Sequence, residues 1–312
     1  MNYIQQAYKG DLGFWKYTVI PVLFIGMVVL NMIAIEMFDI DQGQVIRDEI
    51  AKKGENLMLI ESLATFVVFF AVLLLWVKFI HRQSLTSLTT SRSKIDWKRI
   101  WFAFFVWGGI TAAYVFVGYL IDPNALQWNF KPNKFLGLLV IGVLMIPLQT
   151  SFEEYLFRGY LLQGIGAKLK SRMIPLIVTS LIFGLLHFAN PEVGKFGNVV
   201  MLYYIGTGLF LGIITLLDEG LELALGFHAA NNLIGALLVT ADWTAFQTNS
   251  IFKDLSEPNV YINILIPVFI FYPLLLLLFA KKYSWNNWKE KLMGKVERPV
   301  DIDPINEIEG IV

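Results

Sequence analysis

Apolar residues run along this chain in long blocks separated by short polar stretches. A block crosses about 30 Å of hydrocarbon when roughly 20 mostly apolar residues continue as one helix. The pattern predicts eight such helices, near Tyr17–Ile35, Glu61–Phe79, Ile100–Ile121, Phe135–Phe157, Ile174–Phe188, Val199–Leu217, Ala224–Val239 and Val260–Ala280. The fifth and seventh are short or polar for a span. The polar stretch Met1–Lys16 precedes a long apolar run with no small-residue cleavage site after it, so the first block is expected to be an uncleaved span. The expected architecture is all-α and polytopic, with about eight transmembrane helices.

Composition agrees: 56% of residues are hydrophobic and 16% charged, against roughly 25% charged in soluble domains. No polar stretch between blocks is long enough to build a core of its own, so residues 1–312 are expected to form a single membrane domain. The chain has no cysteine, which excludes disulfides, thiolate catalysis and cysteine-based metal sites. Any nucleophile is therefore an oxygen or a water. The formal net charge is zero, and no basic patch points to nucleic acid; the expected partners are the bilayer and a protein or peptide substrate within it. With the N-terminus placed in the cytoplasm, 18 of the 25 Lys and Arg residues fall on that side, the asymmetry that orients membrane proteins. Both termini of a multi-pass cell-membrane protein are thus expected in the cytoplasm. Asp218, Glu219 and Glu222 dissent as an acidic cluster on the same side.

Ionisable groups inside such blocks demand a reason, because an ionised acid at a helix centre costs roughly 2.5–3.5 kcal/mol on insertion scales. Three strings carry them: Glu153, Glu154 and Arg158; Phe183 and His187; His228 and Asn232. At about 1.5 Å per helical residue, Glu153 is placed roughly 15 Å, His187 roughly 20 Å, and His228 and Asn232 roughly 6 and 12 Å below the cytoplasmic face. A shared cavity open to the cytoplasm is compatible with those depths. Glu154 and Arg158 are four residues apart, an acid-before-base pair that ties up one carboxylate. Glu153 projects about 100° away and stays free of that partner. A buried carboxylate of this kind suits a general base, with a neighbouring histidine orienting its water. His228 and Asn232 share a helix face, where an imidazole and an amide suit a developing oxyanion.

At these residues the chain resembles the CPBP family of intramembrane proteases, the CAAX-processing and bacteriocin-processing group also called the Abi family. The resemblance covers about residues 135–239 and rests on Glu-Glu-x-x-x-Arg, Phe-x-x-x-His and His-x-x-x-Asn strings in order on consecutive apolar blocks. It implies a membrane endopeptidase in which Glu153 and His187 activate water while His228 and Asn232 hold the oxyanion. A prenylated CAAX protein, a leader peptide and a membrane protein are all substrates compatible with it.

The residues leave other chemistries open. His187, His228 and Glu153 would make a two-histidine, one-carboxylate set for zinc or another divalent cation, although no His-Glu-x-x-His string is present. A metal-free route needs no cofactor and is preferred. A scaffold or immunity protein that keeps the cavity, and a proton-coupled transporter using Glu153 and His187 as a relay, are the competing readings. His81, the third histidine, is expected to carry a positive charge beside the C-terminal dipole of its helix. Gly208 and Gly212 form a small-residue pair suited to close helix packing. Trp285, Trp288 and Leu292 with Lys289, Lys291 and Lys295 predict an interfacial amphipathic helix, Asp39–Glu55 a solvated connector, and Asp301–Val312 a mobile acidic tail.

Overall fold

A 3₁₀ turn, Ile4–Lys9, opens the chain and is followed by α1 (Lys16–Met37), α2 (Gln42–Lys53), α3 (Glu55–Phe79), the single-turn α4 (Leu85–Thr89) and α5 (Trp97–Ile121). Next come α6 (Pro132–Glu154), a π-helical turn (Tyr155–Leu161), α7 (Leu162–Leu169), α8 (Met173–Leu185), α9 (Pro191–Phe196), α10 (Met201–Asp218) and α11 (Glu222–Leu238). Two π turns then lead into α12 (Tyr272–Tyr283), with α13 (Trp288–Met293) after it. These elements belong to a computed structural model that describes residues 1–299, so the expectation for Asp301–Val312 lies outside the described residues.

All eight predicted blocks are helical. Among the described residues, however, six helices are long and apolar enough to span a membrane, namely Lys16–Met37, Glu55–Phe79, Trp97–Ile121, Pro132–Leu169, Pro191–Asp218 and Tyr261–Tyr283. The other two blocks are α8 with 13 residues and α11 with 17. α11 need not face lipid, whereas α8 turns Ile177, Leu181 and Leu185 outward. α11 is buried on almost every side, packed along α5 and α6 and against α10. The outer helices instead turn large apolar side chains such as Leu30, Val68 and Phe105 outward, as lipid-facing surfaces require. Close approach at the centre depends on glycine. A Cβ at Gly226 would sit 2.0 Å from the Ile100 carbonyl oxygen, and one at Gly208 would sit 2.8 Å from that of Ser180. The second of these seats α10 on α8, the packing expected of the Gly208–Gly212 pair.

The N-terminus and the last described residues lie at one end of the helices. Tyr3 and Ile4 are buried with Leu162, Leu216 and Val296, and the Val296 N–H donates to the Lys170 carbonyl. The polar-looking N-terminal stretch is therefore a packed plug. The acidic cluster that dissented from the charge asymmetry belongs to an ion-pair clasp at this end. Arg92 reaches Asp218 at 3.0 Å and Glu222 at 3.2 Å, Arg99 reaches Asp218 at 2.5 Å, and Arg172 reaches Glu219 at 3.3 Å. Trp285 turns inward to donate to Asp218 at 3.0 Å, and Lys291 donates to the Leu217 carbonyl at 2.7 Å. The segment expected to lie on the interface is thus also docked on protein.

The opposite end holds α2, α9 and a small sheet in which β3 (Phe252–Asp254) pairs antiparallel with β1 (Leu126–Trp128) and parallel with β2 (Val239–Thr240). His81 departs from its expected state. Its ring is buried, Nδ1 lies 2.9 Å from the Asp11 carbonyl and Nε2 lies 2.9 Å from the Tyr160 hydroxyl. Burial, with Lys16 nearby, pushes its pKa below the usual histidine value, so the ring is held neutral instead of charged.

Candidate active site

Glu153 is the penultimate residue of α6, and the π turn begins two residues later, between it and Arg158. Such turns are frequent at functional sites because the extra residue per turn re-aims side chains. Here the two acids part as their spacing predicts. Arg158 Nη1 donates to Glu154 Oε1 at 3.0 Å, with both side chains fully buried. Arg158 Nη2 caps the Gly208 carbonyl at 3.2 Å, and its guanidinium lies 4.2 Å from the centre of the Phe183 ring. The pair is a core element, not a helix-surface bridge.

Glu154 does a second thing that spacing could not show. The same Oε1 lies 2.7 Å from His228 Nδ1. That contact fixes the tautomer in which Nδ1 carries the proton and leaves Nε2 facing Glu153 Oε2 at 3.5 Å. Glu153 Oε1 in turn accepts from Gln149 Nε2 at 2.7 Å, and Gln149 Oε1 accepts from Asn232 Nδ2 at 3.1 Å. Glu153, His228 and Asn232 are therefore joined through Gln149, which the sequence reading passed over. Its signal was present: Gln149 stands four residues before Glu153, on the same helix face.

His187 comes from the end of α8. Its Nδ1 lies 2.7 Å from the Phe183 carbonyl, and its ring stacks on Tyr204 of α10 at 4.4 Å between centroids. Phe183 lies between the two histidines, 4.8 Å from the His187 ring and 6.0 Å from the His228 ring. Asn231, the residue before Asn232, also reaches the cavity; it accepts from Trp107 Nε1 at 3.1 Å and donates to Asn232 at 3.1 Å.

Glu153, His187, His228 and Asn232 all line one cavity of 610 Å³, whereas Glu154 and Arg158 lie behind its wall. The expected depths of these groups were unequal because they assumed a common starting plane. Helices do not begin at one. α11 starts at a fully buried Glu222, while the helix bearing Glu153 runs on to Leu169. The cavity extends from Glu153 to Gln42, Asn190 and the 244–246 turn. The cavity lining thus reaches toward the end of the helices away from the N-terminus.

For a metal ion, the donor chemistry is suitable in kind, since both histidines commit Nδ1 to an oxygen and keep Nε2 available. Among the described residues, though, no group of three or more His, Asp or Glu side chains is gathered closely enough to hold one.

Comparison with known proteins bears on the same segment. Residues 132–234 match the family described as type II CAAX prenyl endopeptidase Rce1-like. Over 248 residues the chain is 29% identical to "Uncharacterized protein YyaK" of Bacillus subtilis (strain 168), covering 77% of this chain and 83% of that protein. No solved structure matches. The three strings expected to mark a protease family all fall within residues 132–234, the segment that matches the Rce1-like family.

Proposed function

We propose that this protein is an intramembrane endopeptidase in which Glu153 activates the attacking water. The observation that carries the reading is the division of the two acids. Glu154 is consumed by Arg158 and His228, while Glu153 faces the cavity with His228 Nε2 at 3.5 Å. The matched family's description as a prenyl endopeptidase supports the reaction class.

In this reading water enters between Glu153 and His187 and gives its proton to the Glu153 carboxylate as its oxygen attacks the peptide carbonyl carbon. Negative charge then develops on the carbonyl oxygen. Asn232, through the N–H not used on Gln149, stands ready as a donor to it, and His228 Nε2 joins it when the ring takes up a second proton. Glu154 is a positioning residue that holds the His228 ring and stabilises its charge. Collapse of the tetrahedral intermediate breaks the C–N bond, and Glu153 returns its proton to the leaving nitrogen. The cycle needs no other co-reactant. With the termini in the cytoplasm, the cavity mouth faces the outer side of the membrane.

The test is cleavage of a membrane-peptide library by the purified protein in nanodiscs. Glu153→Gln should abolish product while thermal stability stays near wild type, and exhaustive chelation should leave wild-type activity intact. Full activity in Glu153→Gln refutes the assignment of the base. Stoichiometric zinc that is lost in both His187→Ala and His228→Ala, with activity restored by added Zn²⁺, would replace water activation by Glu153 with metal catalysis and keep the peptidase.

A further inference from the structure

A second carboxylate lines the cavity and has no part in that chemistry. Glu192 stands in the first turn of α9, where its Oε1 accepts from the Ala245 N–H at 2.9 Å. That bond explains one oxygen, as a tie between α9 and the 241–245 turn. Its Oε2 is buried without a hydrogen bond of ordinary geometry, the Tyr204 hydroxyl being the polar neighbour of the carboxylate, and no cation is paired with it. Tyr204 lies beside this carboxylate and stacks its ring on His187 at 4.4 Å, so one aromatic ring separates Glu192 from the proposed reaction centre. The charge surrounding it is one-sided. The ionisable lining consists of Glu153, Glu192, His187, His228 and two tyrosines, and no Lys or Arg is among the lining residues.

Resting on the peptidase reading, we propose that Glu192 is a specificity site for a cationic group of the substrate, a Lys or Arg side chain within a few residues of the scissile bond. A cation seated there supplies the charged partner that the Glu192 carboxylate lacks, and Tyr204 offers it an aromatic face. A substrate with a free C-terminal carboxylate at this position meets Glu192 instead of a basic residue, and like charges facing each other in a cavity are strongly disfavoured.

The experiment sets one position at a time of a cleaved transmembrane peptide to Lys, norleucine or Glu, and measures kcat/KM in nanodiscs for each. Wild type should prefer Lys over norleucine by about 10- to 100-fold at one or two positions, the range of a hydrogen bond to a charged group. Glu192→Gln keeps the volume and the Ala245 bond, so the Lys-to-norleucine ratio should collapse to about one, whereas Glu192→Lys should shift the preference to Glu. Glu36→Gln removes an exposed acid near the same end of α1 and should leave the ratio unchanged. Cleavage by wild type without charge preference, or a ratio that survives in Glu192→Gln, overturns this proposal alone. No cleavage of any peptide by wild type overturns the peptidase reading and this inference with it.

Discussion

Removing one partner of the Glu154–Arg158 pair is the sharpest perturbation the site allows. Both side chains are fully buried, and Glu154 Oε1 receives Arg158 at 3.0 Å and His228 at 2.7 Å, while Oε2 has no partner. Glu154→Gln leaves a guanidinium with no carboxylate bonded to it, held by the Gly208 carbonyl and the Phe183 face. Arg158→Met leaves a carboxylate answered only by His228. Breaking a buried pair from one side costs about 3–5 kcal/mol, because the surviving charge stays desolvated. An exposed pair would cost about 1 kcal/mol or less. Each single variant should therefore lose about 3–5 kcal/mol of stability. The double variant Glu154→Gln/Arg158→Met should lose much less than the sum, since neither charge remains. Steric trapping in bicelles, which reads unfolding free energy without heating, gives all four corners of the cycle. Losses that add, each under about 1 kcal/mol, would mean that the pair is solvated and would refute the reasoning. Activity supplies an independent readout, because releasing His228 Nδ1 from Glu154 should lower kcat in Glu154→Gln even where the protein is fully folded.

Two further outcomes follow from the same geometry. His228→Ala and Asn232→Ala should each lower kcat by about 10²–10³-fold with little change in KM, as for a lost oxyanion donor; a rise in KM at constant kcat would move these residues to substrate binding. Cysteines placed singly at Lys52 and Asn133 should be labelled by an impermeant reagent in intact cells, and those at Lys94 and Lys289 only in inside-out vesicles. Thr244→Cys, at the cavity mouth, should follow the first group, and labelling of it with the second would return the mouth to the cytoplasmic side.

Sequence alone determined the class and the candidates. Eight apolar blocks were legible because burial in lipid imposes length and composition on each segment separately, with no need of its neighbours. The Glu154–Arg158 pairing and the divergence of Glu153 were legible for the same reason, since helical spacing is a local property. Tertiary structure decided what depends on several segments at once. That Glu154 orients His228, that Gln149 joins Glu153 to Asn232, and that Tyr204 stacks on His187 are contacts between residues 74, 83 and 17 positions apart, or along a face whose importance only the partner reveals. The clasp around Asp218 resolved an acidic cluster that looked anomalous only while its arginines were unassigned. The direction of the cavity was decided last of all. Depth counted along one helix says nothing of where its neighbours begin, and α11, buried from its first residue, starts well inside the protein.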